Sequence, residues 1–301
     1  MENGLDLYGE GAVTFASSAV QGAMQGLIST LFMRKTTAKA ELEKLKAGKF
    51  SEVIDTLLSE GKMTYTELYK CSNLFKVAKK ADEYISSKQE NEDDSKQILD
   101  FDWFMRFYDA VGNISKEELQ DLWGKVLAGE IAKPKACSLR TLDIIRNLSV
   151  DEAESFNKIC RYIIPGETAS FMFSAGFSEG RDGNEKCNAY MRAQGLNYYD
   201  TVIPLVEAGL VTQDHDLAYY FEGGNELEFH NKKYCCVIKA NTDDTVFLNE
   251  DALFLTTSGS ELFNVISTQS DFEYDKEYVR LCVEQMRAKY TTLDFIDFDL
   301  D

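Results

Sequence analysis

The sequence predicts a mainly α-helical protein that closes with a smaller α+β domain. Three observations carry that expectation. Only three prolines, Pro134, Pro165 and Pro204, occur in 301 residues, which leaves room for long uninterrupted helices. Two helix-initiating patterns, S-K-E-E from Ser115 and S-V-D-E from Ser149, punctuate the middle of the chain. After Pro165 the apolar spacing changes to short aromatic and alternating runs between turn residues. At 44% apolar and 28% charged residues the composition is globular, and the length suits two or three compact units.

The first element is the most distinctive. Residues 11–33 carry no charge, and Phe15, Ala16, Ala19, Val20, Ala23, Leu27, Ile28, Leu31 and Phe32 recur at helical spacing. The opposite face is small or polar, and Gly22 and Gly26 form a G-x-x-x-G that Ser18 extends. Apolar insertion energy of about −2 to −4 kcal/mol is opposed by Gln21, Gln25 and the hydroxyls by a comparable amount, so a lone spanning helix is marginal. Three fates stay open: packing on the protein's own core, membrane insertion or surface binding, and self-assembly in water. For the last two, the candidate residues are Phe15, Ser18, Gly22, Gly26, Leu27 and Phe32. If the segment spans, Arg34, Lys35 and Lys39 should stay on the cytoplasmic side.

Residues 36–49 continue as a charged helical pattern, Ser51 can cap a helix through Leu58 with Gly61 as its stop, and Thr66 to Ile85 is amphipathic. The polar stretch Ser86 to Ser95 is the linker candidate. Ile98 to Val111 holds the aromatic run Phe101, Trp103, Phe104, Phe107 and Tyr108, closed by Gly112. The Ser115 box starts a helix expected to end near Leu127, before Ala128-Gly129. Ser138 caps Leu139 to Asn147, and the Ser149 box opens a helix to about Ile163. Beyond it, Ala169 to Phe177 suits a strand and Tyr198 to Ala208 a helix stopped by Gly209. Glu226 to His230, Tyr234 to Lys239 and Thr245 to Leu248 suit strands, with Asn241 to Asp244 a turn. Ser258 or Ser260 caps a helix to Ile266, and Lys276 to Lys289 forms another. The acidic, aromatic end from Leu293 reads as a flexible tail or docking peptide. The expected organisation is a helical region 1–88, a linker 89–96, a helical core 97–165, an α+β domain 166–292 and a tail 293–301.

Charge separates these parts. Lys and Arg against Asp and Glu number 12 and 12 over residues 1–90, 10 and 14 over 91–165, and 10 and 25 over 166–301. So acidic a domain repels phosphates and anionic headgroups and favours a basic protein partner. The seven cysteines are odd in number, irregularly spaced and without C-x-x-C, which suits reduced thiols in the cytoplasm. The start of the chain lacks a basic signal-peptide region, so export by that route is not expected.

No constellation discloses a reaction. Asp214-His215-Asp216 reads as a polar turn, and vicinal Cys235 and Cys236, near His230, would face opposite sides of a strand. Zinc spacing is absent, and no metal or cofactor is expected. Two histidines leave little material for a nucleophile system. Gly223-Gly224-Asn225 is a hairpin turn with no Gly-Lys-Ser/Thr after it. Trp103 and Trp123, at helical spacing, suit a core better than a ligand pocket. An enzyme is disfavoured.

Two segments, ELQDLWGKVLAGE from Glu118 and LRTLDIIRNLSVDEAESF from Leu139, resemble an uncharacterised bacterial family associated with abortive-infection (alpha type) and prophage-borne proteins. The resemblance implies anti-phage defence or a related toxic response and supplies no catalytic residues. VIPLVEAGLV at 202–211 and LTTSGSEL at 255–262 resemble parts of a winged helix, which makes the α+β domain winged-helix-like. Asn197 to Ala208 carries no Arg or Lys, so DNA binding is not expected. The leading functional expectation is a non-enzymatic defence protein and homo-oligomer. Its acidic C-terminal domain would sense a basic protein, and its N-terminal helix would act by assembly or at the inner membrane. The alternative is a soluble scaffold or regulatory module.

Overall fold

A computed structural model describes residues 50–86, 100–166, 169–177, 185–212 and 215–300. The segment 11–33 with Phe15, Ser18, Gly22, Gly26, Leu27 and Phe32, the helical pattern 36–49 and nearly all of the linker candidate lie outside the described residues. The described residues are mostly helical, with antiparallel sheets confined to the C-terminal part. The chain divides into two units, Met1–Arg146 and Asn147–Asp301.

The first unit is helical among its described residues: α1 (Phe50–Ser59), α2 (Tyr65–Ser86), α3 (Phe101–Val111), α4 (Glu117–Ala132) and most of α5 (Leu139–Asn147). Ser51 lies inside α1, which is already helical at Phe50, and so is not its cap. Helices α2 and α4 pack along each other. Their apolar stripes bury Leu74, Val77, Ala78 and Ala81 against a core containing Trp123, Val126 and Leu127. Trp103 stacks on Phe107 at 5.2 Å, and the edge of Trp123 meets Phe107 at 5.5 Å. The two tryptophans are therefore core, as their spacing suggests, and Trp103 Nε1 donates to the Cys137 carbonyl at 2.8 Å.

Two boundaries differ from expectation. Helix α4 starts after Lys116, with no side-chain cap, so Ser115 does not form the expected capping box. The Gln120 amide instead donates to the Ile114 carbonyl at 2.9 Å, and Glu117 and Glu118 complement the positive end of the helix. The helix also runs past Gly129, because Ile131 is buried and the Glu130 carboxylate accepts from the backbone amides of Lys135 (2.7 Å) and Cys137 (3.2 Å). Burial pushes the Glu130 carboxyl above its ordinary value, opposed by those amides. Tertiary partners outweigh one mid-helix glycine.

The second unit begins with α6 (Val150–Cys160), whose capping box is present: Glu152 N donates to Ser149 Oγ at 3.2 Å and Ser149 N to Glu152 Oε2 at 2.7 Å. It ends before Ile163 because Ile164 turns to exchange backbone hydrogen bonds with Phe171. Then follow β1 (Phe171–Phe173), a 3-10 turn Ala175–Phe177, α7 (Glu185–Ala193), a π turn Tyr198–Val202 that runs into α8 (Ile203–Glu207), β2 (His215–Phe221), β3 (Glu226–His230), β4 (Tyr234–Ala240), β5 (Val246–Phe254), α9 (Thr257–Ser267), α10 (Lys276–Lys289) and β6 (Leu293–Asp299).

The strands form two antiparallel three-stranded sheets, ordered β1-β5-β2 and β3-β4-β6. His215 and Asp216 therefore lie in a strand and not in a polar turn; Leu217, Tyr219 and Phe221 alternate with exposed Asp216, Ala218 and Tyr220. Gly223 and Gly224, at φ 61° and 78°, make the tight turn that only glycine adopts freely. The turn does not close a paired hairpin: β2 pairs with β5 (Tyr220 opposite Phe247) in one sheet and β3 with β4 in the other. The expected flexible tail is β6, paired with β4 from Leu293 opposite Ala240 to Asp299 opposite Tyr234.

The segments likened to a winged helix do meet: Val211 bridges Leu255, and Thr256 N donates to the Leu210 carbonyl at 3.1 Å. Around them stand two sheets in place of a single hairpin wing. Helix α9 is capped by Thr256, not by Ser258 or Ser260: Gly259 N donates to Thr256 Oγ1 at 3.0 Å, and that hydroxyl donates to the Gly209 carbonyl at 2.7 Å. The crossing is so close that a Cβ on Gly259 would stand 1.9 Å from the Leu210 oxygen.

Candidate functional site

The sheet β3-β4-β6 has two unlike faces. Inward, alternation turns Phe229, Cys236, Ile238, Leu293 and Phe295 into the core. Helix α10 secures this side. Arg287 bonds Asp297 and donates to the Phe295 carbonyl at 3.1 Å, while Arg280 and Lys276 hold Asp299 at 2.7 and 2.8 Å. The hydrogen bond from Lys276, with Arg280 beside it, holds the Asp299 carboxyl below the usual range. Tyr234 donates to Asp297 at 2.9 Å; its own hydroxyl is pushed up first by burial and then by that carboxylate.

The outward face is a grid of three rows given by the register: Glu226-Lys239-Asp294, Glu228-Val237-Ile296 and His230-Cys235-Phe298. Ile296 and Phe298 are 50% and 48% exposed, high for side chains of their size. Together with half-buried Val237 and buried Cys235 they form an apolar strip. Carboxylates fringe it: Glu226 pairs with Lys239 at 2.7 Å, Glu228 lies 3.6 Å from His230, and Asp294 accepts from Asn241 at 3.1 Å. The three acids of this grid outnumber its basic side chains, Lys239 and His230, and leave it negative.

Strand alternation sends Cys235 and Cys236 to opposite faces, so they cannot share an ion. Burial pushes the Cys236 thiol up to about 12, with Asp297 adding to the effect, and burial also raises Cys235. Neither is a ready nucleophile. Among the described residues, no group of three or more His, Cys, Asp or Glu could hold a metal ion, and no helix is long and apolar enough to cross a membrane. The structure thus brings together, on this sheet, a surface suited to binding.

Sequence reasoning missed Ile296 and Phe298. The signal was in L-D-F-I-D-F-D, which as a strand splits into Leu293, Phe295, Asp297 and Asp299 on one face and Asp294, Ile296 and Phe298 on the other. A family model described as a protein of unknown function (DUF2806) matches residues 60–279. No curated protein and no solved structure matches the chain.

Proposed function

The chain belongs to that family, and we propose that it is a non-enzymatic protein-binding module whose acidic second unit receives a basic, amphipathic segment of a partner on the outer face of β3-β4-β6. The half-exposed Ile296 and Phe298 inside a carboxylate fringe carry this reading. Exposed apolar strips with a polar rim mark interaction sites, and the fringe selects the partner's charge. A second copy of the same face is a poor occupant, since acids would meet acids. Edge pairing through β6 is opposed by Asp294, Asp297 and Asp299 and by Arg287 lying against the strand.

In the wider setting suggested by the likeness to abortive-infection proteins, partner binding triggers an anti-phage response. Residues 11–33 then deliver it by homo-oligomerisation or at the inner membrane, from a cytoplasmic protein. The alternative is a scaffold that needs only the binding surface. Two measurements test these statements. A fluorescent, helical peptide of alternating lysine and leucine faces should bind the full-length chain, and Ile296→Ser with Phe298→Ser should weaken it roughly 10- to 30-fold. Unchanged affinity rejects the surface. Deleting residues 1–33 should abolish toxicity on induced expression while the peptide still binds; retained toxicity favours the scaffold.

A further inference from the structure

On a different part of the second unit, Cys187 of α7 and Cys282 of α10 place their sulfurs 3.9 Å apart, both buried. Helices α7 and α10 pack against each other, so the two cysteines, distant in sequence, face across one interface. We propose that this pair is a reversible redox site, oxidised by hydrogen peroxide to a Cys187–Cys282 disulfide that locks α7 to α10.

A disulfide needs the sulfurs to close from 3.9 Å to about 2 Å, and rotation about the two Cα–Cβ bonds is the motion that would bring them together. The pair is also electronically asymmetric. The hydrogen bond shared by the two sulfurs draws the Cys187 thiol below its ordinary value, while burial, the largest cause there, raises Cys282 well above. Those opposite directions make Cys187 the member that gives up its proton more readily and Cys282 the thiol that resolves it. A recess lined by Cys282, Gln285, Glu250 and Asp251 reaches the pair from the Cys282 side, and Gln285 links it to Cys187, whose thiol donates to Gln285 Oε1 at 3.5 Å. The recess suits a water-sized neutral oxidant, and its carboxylates disfavour an anionic one such as oxidised glutathione.

The chemistry balances with peroxide as the only co-reactant. The Cys187 thiolate attacks one peroxide oxygen and the O–O bond breaks, leaving a sulfenic acid and hydroxide, which takes a proton to become water. Cys282 then loses its proton and attacks the Cys187 sulfur; the S–O bond breaks and the departing hydroxide leaves as water. Two thiols give up two electrons, and one peroxide becomes two waters.

The test uses the reduced, full-length protein titrated with hydrogen peroxide, followed by differential alkylation and peptide mapping. The Cys187–Cys282 disulfide should form before any other cysteine loses labelling. Dithiothreitol should reverse it, and it should raise the thermal midpoint by roughly 5–10 °C. In Cys282→Ala, Cys187 should stop at a sulfenic acid that dimedone traps. The proposal is overturned if Cys187 and Cys282 keep full labelling while others oxidise, or if either bonds a different cysteine. Mapping on the wild type decides this even if the variant folds poorly, and neither result depends on partner binding.

Discussion

In the core of the first unit α2 and α4 close on each other, and Trp123, Phe107 and Phe104 are almost wholly shielded. In the second, the sheet β3-β4-β6 satisfies one face with α10 and leaves Ile296 and Phe298 half exposed on the other. The same physics acts in both places, since burying such side chains is worth roughly 1.5–3 kcal/mol each. A face that forgoes this gain inside the monomer retains it for an encounter. The difference therefore separates residues that hold the fold from residues available to a partner, and stability measurements should sort them the same way.

The largest effect is expected at the first unit's centre. Trp123→Ala should destabilise the protein by about 3–5 kcal/mol in denaturant titration, since a fully buried indole leaves a cavity. Gly259→Ala, which forces a methyl against the Leu210 carbonyl, should cost about 1–3 kcal/mol by the same measurement. Ile296→Ser and Phe298→Ser should each shift stability by no more than about 1 kcal/mol despite their size. A loss as large as that of Trp123→Ala would mean the strip is core, and the comparison would fail. The smallest effect is electrostatic. Because the folded Asp299 carboxyl titrates below its ordinary value, its contribution is present above about pH 4 and is lost as pH falls through the lower, folded value. Thermal midpoints of Asp299→Asn and wild type should therefore differ slightly at neutral pH and converge in acid.

Much of this contrast was legible in the sequence. The Ser149 box, the Ser138 cap and the Lys276–Lys289 helix lie where local signals place them, because capping side chains and helical period act within a few residues. The failures have two sources: at α4 contacts five to seven residues away decide, and at the strands distant partners do. Ser115 loses its box to a helix that starts at Glu117, and α4 passes Gly129 because Glu130 and Ile131 find contacts beyond it. His215-Asp216 and the acidic tail look like turn and tail until β5 and β4 supply ladders for them. The acidity of the last third indicated a basic partner from charge alone, but the exposed strip depends on which strand lies beside which. That pairing is non-local.

Hydrogen exchange of the full-length chain, with and without the lysine-leucine peptide, tests the central claim most directly. The account predicts added protection over residues 226–239 and 293–299, weakened by added salt as an electrostatic fringe requires. Binding with protection confined to other segments, or no binding at all, would contradict it.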